Sequence, residues 1–491
     1  MGKNFAAVPD AAADQPANGR QMPQAHEPIQ KLLFTAPWDA VPVRRGDALG
    51  LRGLADRIAD ILAPDLSNRI RDARWITIIA WCLARSHEVW ARAGQSDLAN
   101  RFGSAERYAW LRPLELMWIA RTISRAPDEG RGRQLAGQRR VRRWVHDGCR
   151  APKLGMSAEQ FKSYRQAGIY GGYRVIFRRI PGLTKGGDGW TPSQSTQELA
   201  KWLDRTMGKQ SLPTNWDETA FKWSVWRGNE EGWWRKVWPN FIEGSSATPL
   251  PCKVDDHSRL PESKQLVPFI FGDSAGGRRR KQVAKLMGNL DAADHLELCT
   301  GLARELAKEK DAQILKILPA FSKLADAGMD VMDEVGRQLM SGGNAPSIAV
   351  ADLASVPAIS HASEALRAAA RAWQHGSHTA LLDGGVVDDL ARAVSVSSGP
   401  ERIAGLVRHH EKWGGALKWF VLRHDSVVPR LLFGANDSSR YRFRLWSLGR
   451  LAAQCGVADG MPDALVSDNG SQLEAPITDD SGDHDQAQES P

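Results

Sequence analysis

Apolar positions along this chain recur mostly at helical spacing. Leu54, Ile58, Ile61 and Leu62 form one face of an amphipathic helix. Pro64 breaks it, because its ring and missing N–H cannot continue the ladder. Ser67 or Asn68 is placed to cap a second helix. There, Trp75, Ile76, Ile78, Ile79, Ala80, Trp81, Cys82 and Leu83 point in nearly every direction. A helix that is apolar all round is buried, so other helices must wrap it, and the stretch from Leu54 to Arg92 organises the rest.

The pattern continues downstream. Leu111, Leu114, Met117, Trp118 and Ile123 line a further helix divided near Pro113. Residues 157–205 read as helix, helix, Gly-rich hairpin and helix, the order of a winged-helix unit, with Gly186, Gly187 and Gly189 supplying the turn. Residues 214–242 carry six Trp near helical spacing and read as a core-facing helix or as an aromatic platform. Helices are expected over 278–290, from Asp291 to Ser341 with breaks at Pro319 and Gly328, and over 361–376 and 386–395. Near the end, residues 417–433 alternate as two strands joined at His424–Asp425, followed by a closing helix. The fold class is therefore mainly α, with a winged-helix-like unit and a small C-terminal β-hairpin.

Composition shifts place the domain boundaries. Residues 1–30 are rich in Ala, Pro, Gln and Asp and are expected to be disordered. A helical domain spans 31–243 and a second spans 269–457. Residues 244–268, rich in Pro, Ser and Asp, are expected to link them, and 458–491 form an acidic tail. No run approaches the ~20 apolar residues of a membrane span. Five scattered Cys form no CxxC pair, which suits a reducing cytoplasm.

Charge adds a partner bias. From Asp459 onward there are nine acidic residues and no Lys or Arg, so the rest of the chain carries 65 basic against 48 acidic residues. A basic body with an acidic tail is a pattern of nucleic-acid-associated proteins, and equally of a solvated Arg-rich surface. The basic run from Arg121 to Arg150 includes Arg139, Arg140, Arg142 and Arg143. The second helix of the winged-helix-like unit offers Arg174, Arg178 and Arg179, and its hairpin Lys185. Arg278, Arg279 and Arg280 open a helix whose dipole disfavours them, as if they meet an anion or lie exposed. Arg suits phosphate because its planar fork pairs with two oxygens at once.

Catalytic signatures are missing. There is no GxxxxGK[ST], no HExxH and no GxSxG. His375 and His378 lack an obvious companion carboxylate. Adjacent His409 and His410 point to different helix faces. Asp255–Asp256–His257 is a weak candidate for nuclease chemistry. No metal or cofactor is expected.

Three stretches, ADILAPDLSNRIRDARWITIIAW (59–81), AGIYGGYRVIFRRIPGL with GWTP (167–192), and RHHEKWGGALKWFVL with SRYRFRLWSLGRLAAQCGV (408–457), resemble a family of uncharacterised bacterial proteins sometimes encoded near phage-defence or restriction genes. The resemblance implies a setting of DNA transactions and carries no catalytic residue. The expectation is a non-catalytic, cytoplasmic, DNA-associated accessory protein of a bacterial defence or mobile-element system, working with DNA and other subunits. The alternatives are a scaffold docking partners through the winged helix and Trp-rich face, and a cryptic metal-dependent nuclease.

Overall fold

The computed structural model describes residues 47–92, 169–208, 249–341, 347–376, 385–415, 418–430 and 440–466, with 111, 114–115, 117–126 and 135. The expected N-terminal segment, the first winged-helix element, the Trp-dense stretch and residues 467–491 of the acidic tail lie outside them, whereas the start of that tail packs into the fold as a short helix, Asp463–Val466, with Ala464 and Leu465 buried. All described residues fall in one compact unit of contacts spanning Pro42–Pro491.

The architecture is mainly helical with a small antiparallel sheet. Helix α1 runs Arg52–Leu62 and α2 Ala73–Arg92. Helix α3 runs Ile169–Arg179 and α4 Gln194–Met207. Then come α5 (Ser263–Ile270), α6 (Ala275–Asn289), α7 (His295–Leu306), α8 (Leu318–Ser341), α9 (Val350–Ser355), α10 (Pro357–His375), α11 (Val386–Val394), α12 (Gly399–Trp413), α13 (Leu445–Cys455) and α14 (Asp463–Val466). The hairpin forms as expected from Phe420–Arg423 and Ser426–Pro429, turning at His424–Asp425. A short strand, Ile348–Ala349, adds to its second strand and was not anticipated, since two residues give no period to read.

Helix α2 is the buried centre. Trp75 through Ala84 are all within 2% of full burial. Trp81 meets Trp118 edge to face at 6.0 Å, and its indole N–H donates to Asp204 on α4 at 2.7 Å. The helix starts at Ala73 rather than near Ser67, because Asp72 supplies the cap: its Oδ1 accepts the Arg74 N–H at 2.9 Å. Asp72 Oδ2 also accepts the Cys252 N–H at 2.7 Å, and the Ala73 N–H donates to Gln454 Oε1 at 2.7 Å. The Tyr173 hydroxyl donates to the Asp72 carbonyl at 2.9 Å and accepts the N–H groups of Arg71 and Asp72. Arg74 pairs with both carboxylate oxygens of the fully buried Glu262. One helix start thus binds α3, the 249–262 segment and α13.

This network passes through the stretch expected to be a linker. From Pro251 to Glu262 that stretch contributes Cys252, Val254, Leu260 and Glu262 to the buried interior, and Ser263 opens α5. Its Pro and Asp residues break helical periodicity without freeing the chain from the core. Gly328 does not divide α8 either. A Cβ there would lie 2.9 Å from Leu49 Cδ1, so the glycine provides close approach rather than a break.

The C-terminal half packs helix on helix, α8 against α10, α10 against α11 and α11 against α12. Helix α12 carries two buried histidines. His410 Nδ1 donates to the Ala48 carbonyl at 2.6 Å and its Nε2 accepts the Trp419 N–H at 2.9 Å. Both roles are filled only by neutral imidazole. His409 Nε2 lies 2.9 Å from the Leu49 carbonyl. Burial holds both histidines below their ordinary pKa, so the unfolded chain takes up protons that the folded chain refuses.

Two outcomes follow from this packing. Tyr173→Phe should lower unfolding free energy by about 1–3 kcal/mol, measured by urea denaturation, because it leaves buried N–H groups without an acceptor. Stability should be level above about pH 7 and fall as pH drops below about 6.5, where unfolded histidine protonates. The fall should be shallower in His410→Gln.

Candidate nucleic-acid interface

The exposed cations start from α3. Its sequence, IYGGYRVIFRR, turns Tyr170, Tyr173, Ile176 and Phe177 inward and leaves its arginines on the other side. Arg178 and Arg179 occupy the last turn, where the helix dipole favours positive charge. The chain then folds back through a 3-10 turn, Lys185–Gly187, closed by a single bridge between Thr184 and Pro192. The expected tight hairpin is therefore one bridge around a helical turn. The Thr184 hydroxyl donates to the Phe177 carbonyl at 2.5 Å and accepts the Gly189 N–H at 3.1 Å, fixing the turn to the helix end. Gly187 has φ of +69°, and a Cβ there would sit 2.8 Å from the Arg178 carbonyl. No other residue fits so closely.

This geometry sets the fate of each cation. Arg174 lies over the Trp190 ring, 5.4 Å from its centroid, and Trp190 packs on Tyr170 at 4.7 Å. The Arg178 stem crosses Gly189, and its side chain is exposed. Lys185 is exposed on the same turn. Neither Arg178 nor Lys185 has an ion pair among the described residues. The nearby Asp188 carboxylate is occupied by the N–H groups of Trp190 and Thr191, at 2.7 and 2.9 Å. Arg179 is exposed and reaches only to 3.9 Å from Asp60.

The 278–280 triplet behaves differently. Ser274 caps α6 by accepting the Gly277 N–H at 3.0 Å. Arg278 is exposed and donates to the Asp273 carbonyl. Arg279 donates to the Ile61 carbonyl at 3.0 Å and pairs with Glu309 at 2.5 Å. Arg280 is fully buried. Its Nε donates to the Ile270 carbonyl at 2.7 Å, and its Nη1 to the Pro64 carbonyl and Asp65 Oδ2, each at 2.8 Å. Burial pulls the Arg280 pKa down against the opposing pull of Asp65. Both arginines meet the carbonyl-rich C-terminal end of α1, with Glu309 and Asp65 as their counterions, so neither is presented to an outside phosphate. Arg121 is likewise buried at 1% exposure, with its pKa lowered to about 10 by burial and by Arg125. Arg139, Arg140, Arg142 and Arg143 lie outside the described residues.

Sequence reading passed over two sets of cations. Arg69 is exposed, with its stem against Gly172 of α3. Only its place in the turn between α1 and α2 hinted at this. Arg440, Arg442 and Arg444 alternate with inward Tyr441 and Phe443 in a short strap. They reach Asp330 at 2.6 Å, Asp326 at 3.1 Å and Asp60 at 2.5 Å. Their charge is spent inside the fold.

Chemically, the α3 turn can neutralise and hold an anion. Among the described residues no group of three His, Cys, Asp or Glu gathers to hold a metal ion. Cys82, Cys252, Cys299 and Cys455 are buried, and burial pushes each thiol above its ordinary pKa. Asp255 and Asp256 are exposed, and Asp256 accepts the Ser258 N–H at 3.0 Å. No described helix is long and apolar enough to cross a membrane. We find no match to a protein-family model, a curated protein or a solved structure.

The two classes of arginine should separate by stability. Arg280→Ala should cost about 3–5 kcal/mol by leaving Asp65 and the carbonyls of Pro64 and Ile270 without their donor. Arg178→Ala should stay within about 0.5 kcal/mol. Urea denaturation of both variants checks the difference.

Proposed function

We propose that this chain is a non-catalytic, DNA-associated protein that touches the phosphate backbone through Arg178 and Lys185, with Arg179 beside them. The observation that carries this reading is the turn at the end of α3. It holds three exposed cations on a rigid, glycine-dependent frame, and two of them are without a carboxylate partner among the described residues. The basic surplus of the chain outside its acidic tail supports the same reading. Arg278, exposed at the start of α6, is a further phosphate contact in this proposal. Arg279 and Arg280 are not part of it. A role as an accessory of a bacterial defence or mobile-element system, alongside other subunits, rests on the family resemblance alone.

Phosphate contacts release counterions, so affinity for duplex DNA should fall steeply between low and moderate salt. In Arg178→Ala/Lys185→Ala the slope of log affinity against log salt should shrink by about 2. Fluorescence anisotropy with full-length protein and a labelled duplex measures both. Absent binding at low salt, or an unchanged slope in the double variant, would contradict the reading.

A further inference from the structure

The cations at the end of α3 border an acidic face. Asp56 and Asp60 lie one turn apart on α1, and their side chains are 55% and 50% exposed. Arg179 is exposed beside them, with its Nη1 3.9 Å from Asp60 Oδ1. An exposed carboxylate next to an exposed arginine attracts it, and repels a phosphate approaching from solvent. Yet 3.9 Å is beyond hydrogen-bond distance. Asp60 has not captured Arg179.

The reason lies on the strap before α13. Arg444 Nη1 donates to the same oxygen, Asp60 Oδ1, at 2.5 Å, and its Nη2 stands 3.5 Å from Asp56 Oδ1. One guanidinium thus spans both carboxylates. It does so from a fixed base. Arg444 has φ of +61° and Phe443 φ of +47°, left-handed conformations that persist only where the surroundings impose them. Buried Phe443 anchors this stretch by stacking on His295 at 5.8 Å and meeting Phe321 at 6.0 Å. The Arg444 side chain is 11% exposed, against 56% for Arg179. An arginine already ordered by its surroundings gives up less side-chain freedom on pairing than an exposed one, so Arg444 outcompetes Arg179 for Asp60.

We infer that Arg444 is a positioning residue for the phosphate contact at the end of α3, an inference that rests on the phosphate-binding reading of that turn. Largely buried, it acts through Asp60 and Asp56 rather than by touching the nucleic acid. By occupying both carboxylates it cancels the acidic face beside the turn and leaves Arg179 available to a phosphate oxygen. Without it, Asp60 would draw Arg179 in, and the two aspartates would oppose the incoming backbone.

The test is fluorescence anisotropy of full-length protein with a labelled duplex over a salt series. Arg444→Ala should weaken low-salt binding about fivefold and shrink the slope of log affinity against log salt by about 1, the loss of one phosphate contact. Arg444→Ala/Asp56→Asn/Asp60→Asn should recover the affinity and slope of the wild type, because removing the carboxylates frees Arg179 again. A purely structural role for Arg444 would not be rescued in this way. Asp60→Asn alone, a change at a half-exposed position that leaves the strap's other anchors in place, should raise affinity about threefold. Arg444→Ala binding as tightly as wild type, or staying weak once the carboxylates are removed, would overturn the inference and leave the phosphate reading standing. Asp60→Asn binding no better than wild type would do the same. Wild type failing to bind at low salt would overturn both.

Discussion

The start of α2 is the constraint on which the described structure depends. A helix leaves its first N–H groups unpaired, and here that end is buried where water cannot serve them. Asp72, Gln454 and the Tyr173 hydroxyl take up the donors at and just before this end, and they come from sequence positions up to 382 residues apart. Once these groups are buried together, none can move without stranding another. The helix N-terminus, α3, the 249–262 segment and α13 therefore form one object. The apolar surface of α2 is buried from Trp75 to Ala84, and the polar end fixes which partners it is buried against.

The arginines divide by the same logic. A guanidinium carries five donors and remains charged at physiological pH, so it serves either as an internal bolt across exposed carbonyls or as an outward phosphate contact. Arg279 and Arg280 bolt α6 to the C-terminal end of α1, and Arg444 joins the strap to the same helix through Asp60. Helix α1 ends near Pro64, and the carbonyls released there, with Asp65, are what draw these cations in. Arg178 and Lys185 sit where no such acceptor exists among the described residues. Both places carry clustered cations, and for Arg279 and Arg280 acceptors more than 200 residues away decided the outcome.

Much of the helical architecture was legible because burial period survives any tertiary arrangement. The α2 face, helices α7, α8, α10 and α11 and the hairpin at His424–Asp425 followed from spacing and turn residues, whereas α9 was not anticipated. The start of α2 did not, since Ser67 and Asp72 are equally good caps by type, and only the partners of Asp72 select it. The two-residue strand at Ile348–Ala349 and the passage of α8 through Gly328 were hidden for the same reason, each being set by a distant neighbour: Val427 in one case and Leu49 in the other. Arg279 and Arg280 departed furthest from the expectation, because a run of positive charge at a helix start looks the same whether it faces solvent or a buried helix end.

Native-state hydrogen exchange tests the central claim most directly, that the start of α2 joins the two halves of the described chain into one cooperative unit. Amides of residues 76–84 and 448–455 should open with the same free energy, and Tyr173→Phe should lower both by the same amount. If residues 448–455 keep their protection while 76–84 lose theirs, the halves open independently and the account is contradicted.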